Sequence, residues 1–122
     1  MSDVFREAVL RLSRVPGVSG ALVVETGEGV PVALELKADV SGTAVAALAA
    51  ALYQRAAQAS ETAGYRTLST LQLDADQGHV LIAGAGELIV VALVEDDAQM
   101  GRVRVEAQRA ARELTAGPEA AN

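Results

Sequence analysis

The sequence predicts an α+β domain in which a five-stranded, mostly antiparallel sheet carries helices on both faces. Three segments have apolar residues at helical spacing, and five shorter apolar segments alternate as strands do. The strands follow one another through hairpin-length turns, apart from one crossover through a long helix. Two of the strands are apolar on both sides, as expected for strands in the interior of a covered sheet. The expected element order is α-β-β-α-β-β-β-α.

The first half begins with a helix over residues 2–14, which ends at the Pro16-Gly17 pair. A strand over residues 20–25 is apolar on both faces and therefore belongs to the interior of the sheet. The returning strand, residues 30–37, has one polar face. It contains Pro31, which has no N–H to donate to a neighbouring strand, so this strand is expected at an edge.

The long helix over residues 41–63, capped by Asp39 or Ser41, has no polar side between residues 44 and 53. A helix packed only on its own sheet shows one apolar stripe, whereas a helix that is apolar all round is buried all round. One face is therefore expected on the sheet and the other on a second chain. The alternative interpretation is helix propensity alone, because alanine is the best helix former. Gly64 is expected to end the helix.

The second half predicts strands over residues 67–74, 79–83 and 87–94. The first is amphipathic and rich in Ser and Thr, so it is expected at the other edge, and the last is apolar on both faces. Asp96 to Gln99 forms a variant capping box before the final helix. A single domain over residues 1–117 is expected, with a helix stop at Gly117-Pro118 and a frayed tail over residues 118–122.

Composition excludes several classes of function. The 122 residues carry a formal net charge of −6, whereas a nucleic-acid binder normally presents a basic field. The absence of cysteine excludes thiolate metal sites and cysteine nucleophiles, and a single histidine excludes a multi-histidine site within one chain. The longest uncharged apolar run, residues 44–53, is about half of what a membrane span requires. No cofactor, metal, nucleic acid or membrane insertion is expected, and the expected location is the cytoplasm.

Few motifs point to chemistry. There is no GxxxxGK[ST] loop, so the chain is not a P-loop nucleotide hydrolase by itself. His79 would be a general base if Asp74 or Asp76 oriented it, but a lone histidine at the start of a strand more often has a structural role. The last helix carries a strip of arginines that could guide an acidic protein partner, although Glu106 and Glu113 reduce its field. The strip comprises Arg102, Arg104, Arg109 and Arg112.

Two stretches carry a resemblance to a known family. The chain contains VPGVSGALVV at residues 15–24, followed by GVPVA at residues 29–33. Together they resemble the opening of the Roadblock/dynein light-chain family. The alanine-rich helix, the three later strands and a last helix entered through Met100-Gly101 also match, from about residue 4 to residue 114. These are patterns of glycine and apolar residues, so they specify the fold better than they specify an activity.

The resemblance implies a homodimer in which two sheets join edge to edge through residues 67–74 and the long helices pair through residues 44–53. The expected interface comprises Val45, Leu48, Ala49, Leu52, Thr67, Ser69, Leu71 and Leu73. The resemblance also implies that the chain has no active site of its own. It further implies the stand-alone prokaryotic type, similar to the regulator of a gliding-motility GTPase. The ratio of nine arginines to one lysine favours a bacterial source.

The resulting hypothesis is a non-catalytic homodimeric regulator or partner of a small Ras-like GTPase. Arg55 and Arg66, near the expected interface, are the candidate partner-binding residues, and either would be able to act on the GTPase in trans. The alternative is a nucleotide-independent scaffold or adaptor for a signalling or motility complex. A third possibility, an enzyme or small-molecule sensor, lacks convergent polar residues in the apolar segments.

Overall fold

A computed structural model describes the backbone of residues 2–37 and 39–120, with side chains for residues 4–37 and 39–116. The elements follow the predicted order of helices and strands, which confirms the expected fold class. Their bounds are α1 Ser2–Ser13, β1 Val18–Glu25, β2 Val30–Leu36, α2 Gly42–Thr62, β3 Thr70–Ala75, β4 Gly78–Ala85, β5 Leu88–Glu95 and α3 Met100–Ala120.

The five strands form one sheet in the order β2-β1-β5-β4-β3, and every neighbouring pair is antiparallel. The predicted edges are confirmed, since β2 and β3 lie at the two sides of the sheet. The strands predicted to be apolar on both faces, β1 and β5, are neighbours in its interior. Helix α2 carries the chain from one edge strand to the other, and the remaining strands follow one another as hairpins.

Helices cover both faces of the sheet, and alternation along each strand divides the core between them. In β1, Leu22 and Val24 point toward α2, whereas Ala21 and Val23 point toward α1 and α3. All four side chains are fully buried. Two helices therefore share one face of the sheet, and α2 packs alone on the other.

Both ends of α2 have the hydrogen bonds that its sequence predicts. Of the two candidate caps, Ser41 is the N-cap, and its Oγ accepts a hydrogen bond from the backbone N–H of Ala44 at 3.2 Å. At the other end Gly64 has a φ of +84°. The N–H of Tyr65 donates to the carbonyl of Ser60 at 2.9 Å, which completes a Schellman motif. The predicted end at Gly64 is confirmed.

The start of β3 differs from the prediction. The strand begins at Thr70 rather than at residue 67, so Thr67 and Ser69 precede it. The carbonyl of Leu68 accepts a hydrogen bond of 2.6 Å from the Tyr53 hydroxyl. This bond holds the segment toward α2, and the regular ladder begins only after it.

The limits of α3 also differ from the prediction. Asp96 and Asp97 lie in the turn after β5, and the first helical N–H groups, of Arg102 and Val103, donate to the carbonyl of Gln99. The predicted capping box at Asp96 was therefore wrong. At the other end α3 continues through residues 117 and 118, so the predicted helix stop at Gly117-Pro118 was wrong. The boundary between domain and tail stays a prediction, and residues 121–122 lie outside the described chain.

The turn before β1 is expected to tolerate no side chain at Gly17. Gly17 has a φ of +91°, and a Cβ there would overlap the Cβ of Ala98. Gly86 also has a positive φ, of +70°, but no neighbouring atom lies within 4 Å of the corresponding position. We therefore expect Gly17→Ala to lower the free energy of unfolding more than Gly86→Ala, which carries only the backbone cost of about 1–2 kcal/mol. Urea denaturation of both variants measures the difference. Equal losses would contradict the packing of Ala98 on Gly17.

Candidate protein-interaction surface

The outer side of α2 leaves large apolar side chains uncovered. The inner side, which includes Ala46 and Ala50, is buried against the sheet. On the opposite side Leu48 is 66% exposed and Leu52 is 43% exposed. Arg55 is exposed on the same stripe, because residues three and four apart share one side of a helix. Among the described residues of the chain, nothing covers this stripe.

The predicted interface residues of α2 differ in how far their side chains are exposed. Val45 is half-buried and packs against the core cluster beneath α2. Ala49 departs from the predicted set, because it is only 4% exposed and packs into the core of its own chain. Its position on the helix turns it toward the sheet, whereas Leu48 and Leu52 point away. Leu48 and Leu52 are therefore the large apolar side chains on the accessible side of α2, where Ala44, Ala47 and Ala51 are also exposed.

The edge strand β3 adds two further apolar side chains on the α2 face. Leu71 packs at the border of the core beneath α2, and Leu73 lies opposite Val80 of β4 on that same face. Both leucines are half-buried, and Thr67 and Ser69 are exposed just before the strand. We call the apolar residues of this region the α2–β3 surface. It comprises Val45, Leu48, Leu52, Leu71 and Leu73.

The two candidate arginines lie on different elements. Arg55 is on α2, and Arg66 lies in the connection to β3 with a left-handed φ of +71°. The carbonyl of Arg66 accepts a hydrogen bond of 2.8 Å from the Ser60 hydroxyl, which holds this conformation. Beside it Tyr65 is 79% exposed, a feature that the sequence did not predict. An apolar residue at this position of a Schellman motif usually packs back on the helix, so an exposed tyrosine is unusual there.

A chain of polar side chains joins the far end of β3 to its neighbours. Asp74 of β3 accepts hydrogen bonds from Gln72 at 2.8 Å and from Nδ1 of His79 at 2.7 Å. Arg104 of α3 donates to Oε1 of Gln72, and Nε2 of His79 lies 3.4 Å from the carbonyl of Asp96. Both nitrogens of His79 therefore face acceptors, an arrangement that the doubly protonated imidazolium satisfies. Of the two predicted partners of His79, the structure selects Asp74.

This environment shifts two pKa values in opposite directions. The hydrogen bond to Asp74 raises the pKa of His79 above its ordinary value of 6.5. The hydrogen bond from Gln72, followed by that from His79, lowers the pKa of Asp74 below its ordinary value of 3.8. The His79 side chain is only 17% exposed, and both ring nitrogens are engaged. The geometry therefore supports a structural role in which His79 links β4 to β3 and to the turn before α3.

Within residues 2–37 and 39–120, no three His, Asp or Glu side chains gather in an arrangement that could hold a metal ion. None of the helices in that part of the chain is long and apolar enough to cross a membrane.

The His79–Asp74 pair is expected to stabilise the fold most between about pH 3.8 and 6.5. The contribution of His79 is complete below 6.5 and is lost as the pH rises through its raised folded-state pKa. That of Asp74 is complete above 3.8 and is lost as the pH falls through its lowered pKa. We expect Asp74→Asn to bring the pKa of His79 back toward 6.5, measured by NMR titration of the single imidazole. Asp76→Asn, in the adjacent turn, is the matched control. A wild-type pKa of 6.5 or below would contradict the pairing.

Comparisons of sequence identify relatives over most of the chain. The family model of the Roadblock/LC7 domain matches residues 4–94. The uncharacterized protein MJ0714 of Methanocaldococcus jannaschii is 32% identical over 108 residues, which cover 88% of this chain and 91% of that protein. This relative is archaeal, so the expected bacterial source of the present chain stays a prediction.

Solved structures share the fold at low sequence identity. Myxococcus xanthus MglB matches with a TM-score of 0.85 and 16% identity, over 93% of this chain and 86% of that chain. A Roadblock/LC7 domain from Streptomyces avermitilis matches with a TM-score of 0.82 and 18% identity, over 96% of this chain and 98% of that chain. The sequence match and the shared architecture agree, and the chain belongs to the Roadblock/LC7 family.

Proposed function

We propose that this protein is a non-catalytic, homodimeric regulator or partner of a small Ras-like GTPase in the cytoplasm of a prokaryote. One observation carries the proposal. A stripe of exposed leucines on α2 adjoins an edge strand whose apolar residues lie on the same face of the sheet. Contiguous exposed apolar surface of this kind is typical of a protein–protein contact.

The composition of the two edge strands favours β3 for self-association. Edge strands that remain unpaired usually carry proline or charged residues, which discourage pairing with another chain. In β2, Pro31 lacks an N–H and Glu35 is exposed, although Val32 and Leu34 are also exposed. In β3 the run Thr70–Ala75 has neither proline nor lysine, and its one charged residue is near its end. A second copy is therefore proposed to pair with β3.

Pairing of two β3 strands would bring the two α2 helices together over the same face of the extended sheet. Val45, Leu48 and Leu52 would then be covered by the partner, and the outer turns of both helices would form one composite surface. Arg55, exposed on the same stripe of α2, would lie beside that contact. We propose this composite surface as the site at which a GTPase docks.

The resemblance to the Roadblock family supports a GTPase as the partner. One structural neighbour is described as a gliding protein, mglB from Thermus thermophilus, and another as MglB with a tetrameric arrangement. These descriptions belong to those proteins, and they support a protein partner and self-association for this one. On this proposal the chain holds the switch loops of the GTPase in one state, and the chemistry belongs to the GTPase.

Disruption of the α2–β3 surface is expected to separate the dimer. Leu48→Asp would place a charge where the partner's α2 packs, and loss of one buried leucine on each side costs about 1.5–3 kcal/mol per chain. We expect the dimer Kd to rise by at least about 100-fold, measured by sedimentation equilibrium. Val105→Asp is the matched control, because Val105 is 52% exposed on α3, away from this surface. An unchanged Kd for Leu48→Asp would remove the proposed interface.

A GTPase partner is expected to bind in one nucleotide state. The wild-type protein and Leu48→Asp, each immobilised, are exposed to lysate of the source organism with GDP or with a non-hydrolysable GTP analogue. Retained GTPases are then purified and their binding is measured directly. Preference of a purified GTPase for one state, lost in Leu48→Asp, is the expected result. Equal binding in both states, or retention of other proteins only, would favour the scaffold alternative.

An arginine acting in trans is expected to have a large effect on GTP turnover. Such a residue contributes about 10³–10⁵ in kcat. If Arg55 or Arg66 has this role, the corresponding alanine variant will still bind the purified GTPase but will no longer stimulate its GTP turnover. Arg102→Ala, an exposed position on α3, is the control. Unchanged stimulation in both Arg55→Ala and Arg66→Ala would exclude these residues from that role.

A further inference from the structure

We propose that a groove between α3 and the beginning of β3 receives the β3–β4 turn of a second copy, with Arg112 of one chain facing Asp76 of the partner subunit. The inference rests on the proposed homodimer through β3 and assigns its register. It concerns the α3 face of the sheet, opposite the α2–β3 surface.

The groove is an open cavity of about 580 Å³ in which small residues line the sheet side and α3 lines the other. Ala83 and Gly84 of β4 have little or no side chain, which leaves room beside Ser69 at the start of the edge strand. The α3 wall includes Gln108, Thr115 and Arg112. Arg112 is the one charged residue among the described lining residues, so the groove offers an apolar floor with a cation at its rim.

The side-chain pattern of β3 restricts how two copies can pair. Residues directly opposite each other in an antiparallel pair point to the same face, so a two-fold axis through the edge passes through a residue position. Leu71 and Leu73 face α2, whereas Gln72 faces α3, where it binds Arg104. An axis at Gln72 places Leu71 opposite Leu73 of the partner subunit. By symmetry Leu73 then lies opposite Leu71 of the partner subunit, so each leucine has an apolar partner.

The neighbouring registers pair the two leucines of β3 with smaller or polar residues, or bring like charges together. An axis at Leu71 would place Leu73 opposite Ser69 of the partner subunit, and an axis at Leu73 would place Leu71 opposite Ala75 of the partner subunit. An axis at Asp74 would bring two carboxylates face to face, which is destabilising. Because β-strand register follows the apolar pattern, the axis is assigned to Gln72.

This register delivers the β3–β4 turn of the partner to the groove. With the axis at Gln72, Ser69 lies opposite Ala75 of the partner subunit, and the turn formed by residues 76 and 77 continues past it. Helix α3 packs on β4 and β5, and it runs in the opposite sense to β3, since the Arg104 side chain reaches Gln72 and Arg112 lies in the groove with Ser69. Arg112 is therefore at the end of β3 where the turn of the partner arrives.

The charges of the two surfaces are complementary. Asp74 is engaged by His79 and Gln72 in its own chain, whereas Asp76 is exposed at the tip of the turn. Among the described side chains, neither Asp76 nor Arg112 forms an ion pair within 4.0 Å. Two-fold symmetry forms the Arg112–Asp76 pair twice in each dimer, so a change of either residue acts twice on the dissociation constant.

A charge exchange tests the assignment. Arg112→Glu and Asp76→Arg are each expected to raise the dimer Kd about 10-fold, because attraction becomes repulsion at two sites. The double variant restores the opposite charges and is expected to return within about threefold of wild type. Arg102→Glu and Asp97→Arg, which make the same charge changes near the start of α3, should leave the Kd unchanged. Sedimentation equilibrium at low and high salt measures all five variants, and the single-variant effects should shrink at high salt.

The outcomes separate this inference from the proposed dimer. A wild-type protein that is monomeric at high concentration overturns both. If Leu48→Asp dissociates the dimer but the charge changes leave its Kd unaltered, the groove assignment alone is overturned. Single variants whose losses add in the double variant also overturn it, since no direct contact then couples the two residues. Circular dichroism checks the fold of each variant, and Arg112→Gln, which removes the charge without reversing it, should give a smaller loss than Arg112→Glu.

Discussion

Strands β1 and β5 are apolar on both faces, and the rest of this structure depends on the need to bury both of those faces. Leu22 and Val91 on one face and Val23 and Val90 on the other are all buried, so neither face of the sheet is able to meet water. Three helices must provide this cover. Two share one face and α2 lies alone on the other, which places the unpartnered apolar surface on the α2 side of the molecule.

The small side chains of α2 make a single helix sufficient for most of that face. Ala46, Ala49 and Ala50 allow the helix axis to approach the sheet closely, and the core beneath is completed by larger residues from the strands, such as Ile82 and Ile89. On the outer side of the helix the large apolar side chains are Leu48 and Leu52. The exposed leucines make the outer side of α2 a candidate contact surface.

Local features of the sequence were sufficient to predict the element order, both edge strands and both ends of α2, because caps, turns and alternation act within a few residues. The inner side of α2 was not predictable in the same way, since Leu48 and Ala49 are both apolar and no polar residue marks the solvent side. The start of β3 depends on a tertiary hydrogen bond from Tyr53, and the network around Gln72 joins residues distant in sequence. Neither has a local signal.

The β1–β5 ladder pairs Val23 with Val90 and joins two parts of the sheet. Within each part, the paired strands are consecutive in the sequence. The hairpin of β1 and β2 and the meander of β3, β4 and β5 each close through short turns, whereas the ladder between them must close a loop of more than half the chain. Because this ladder carries the largest loop-closure cost in the sheet, we expect the folding rate to respond to changes in β1 and β5 more than to changes in the outer hairpins. Synthesis reaches β5 last among the five strands, so the complete sheet is unable to assemble until residue 95 has left the ribosome.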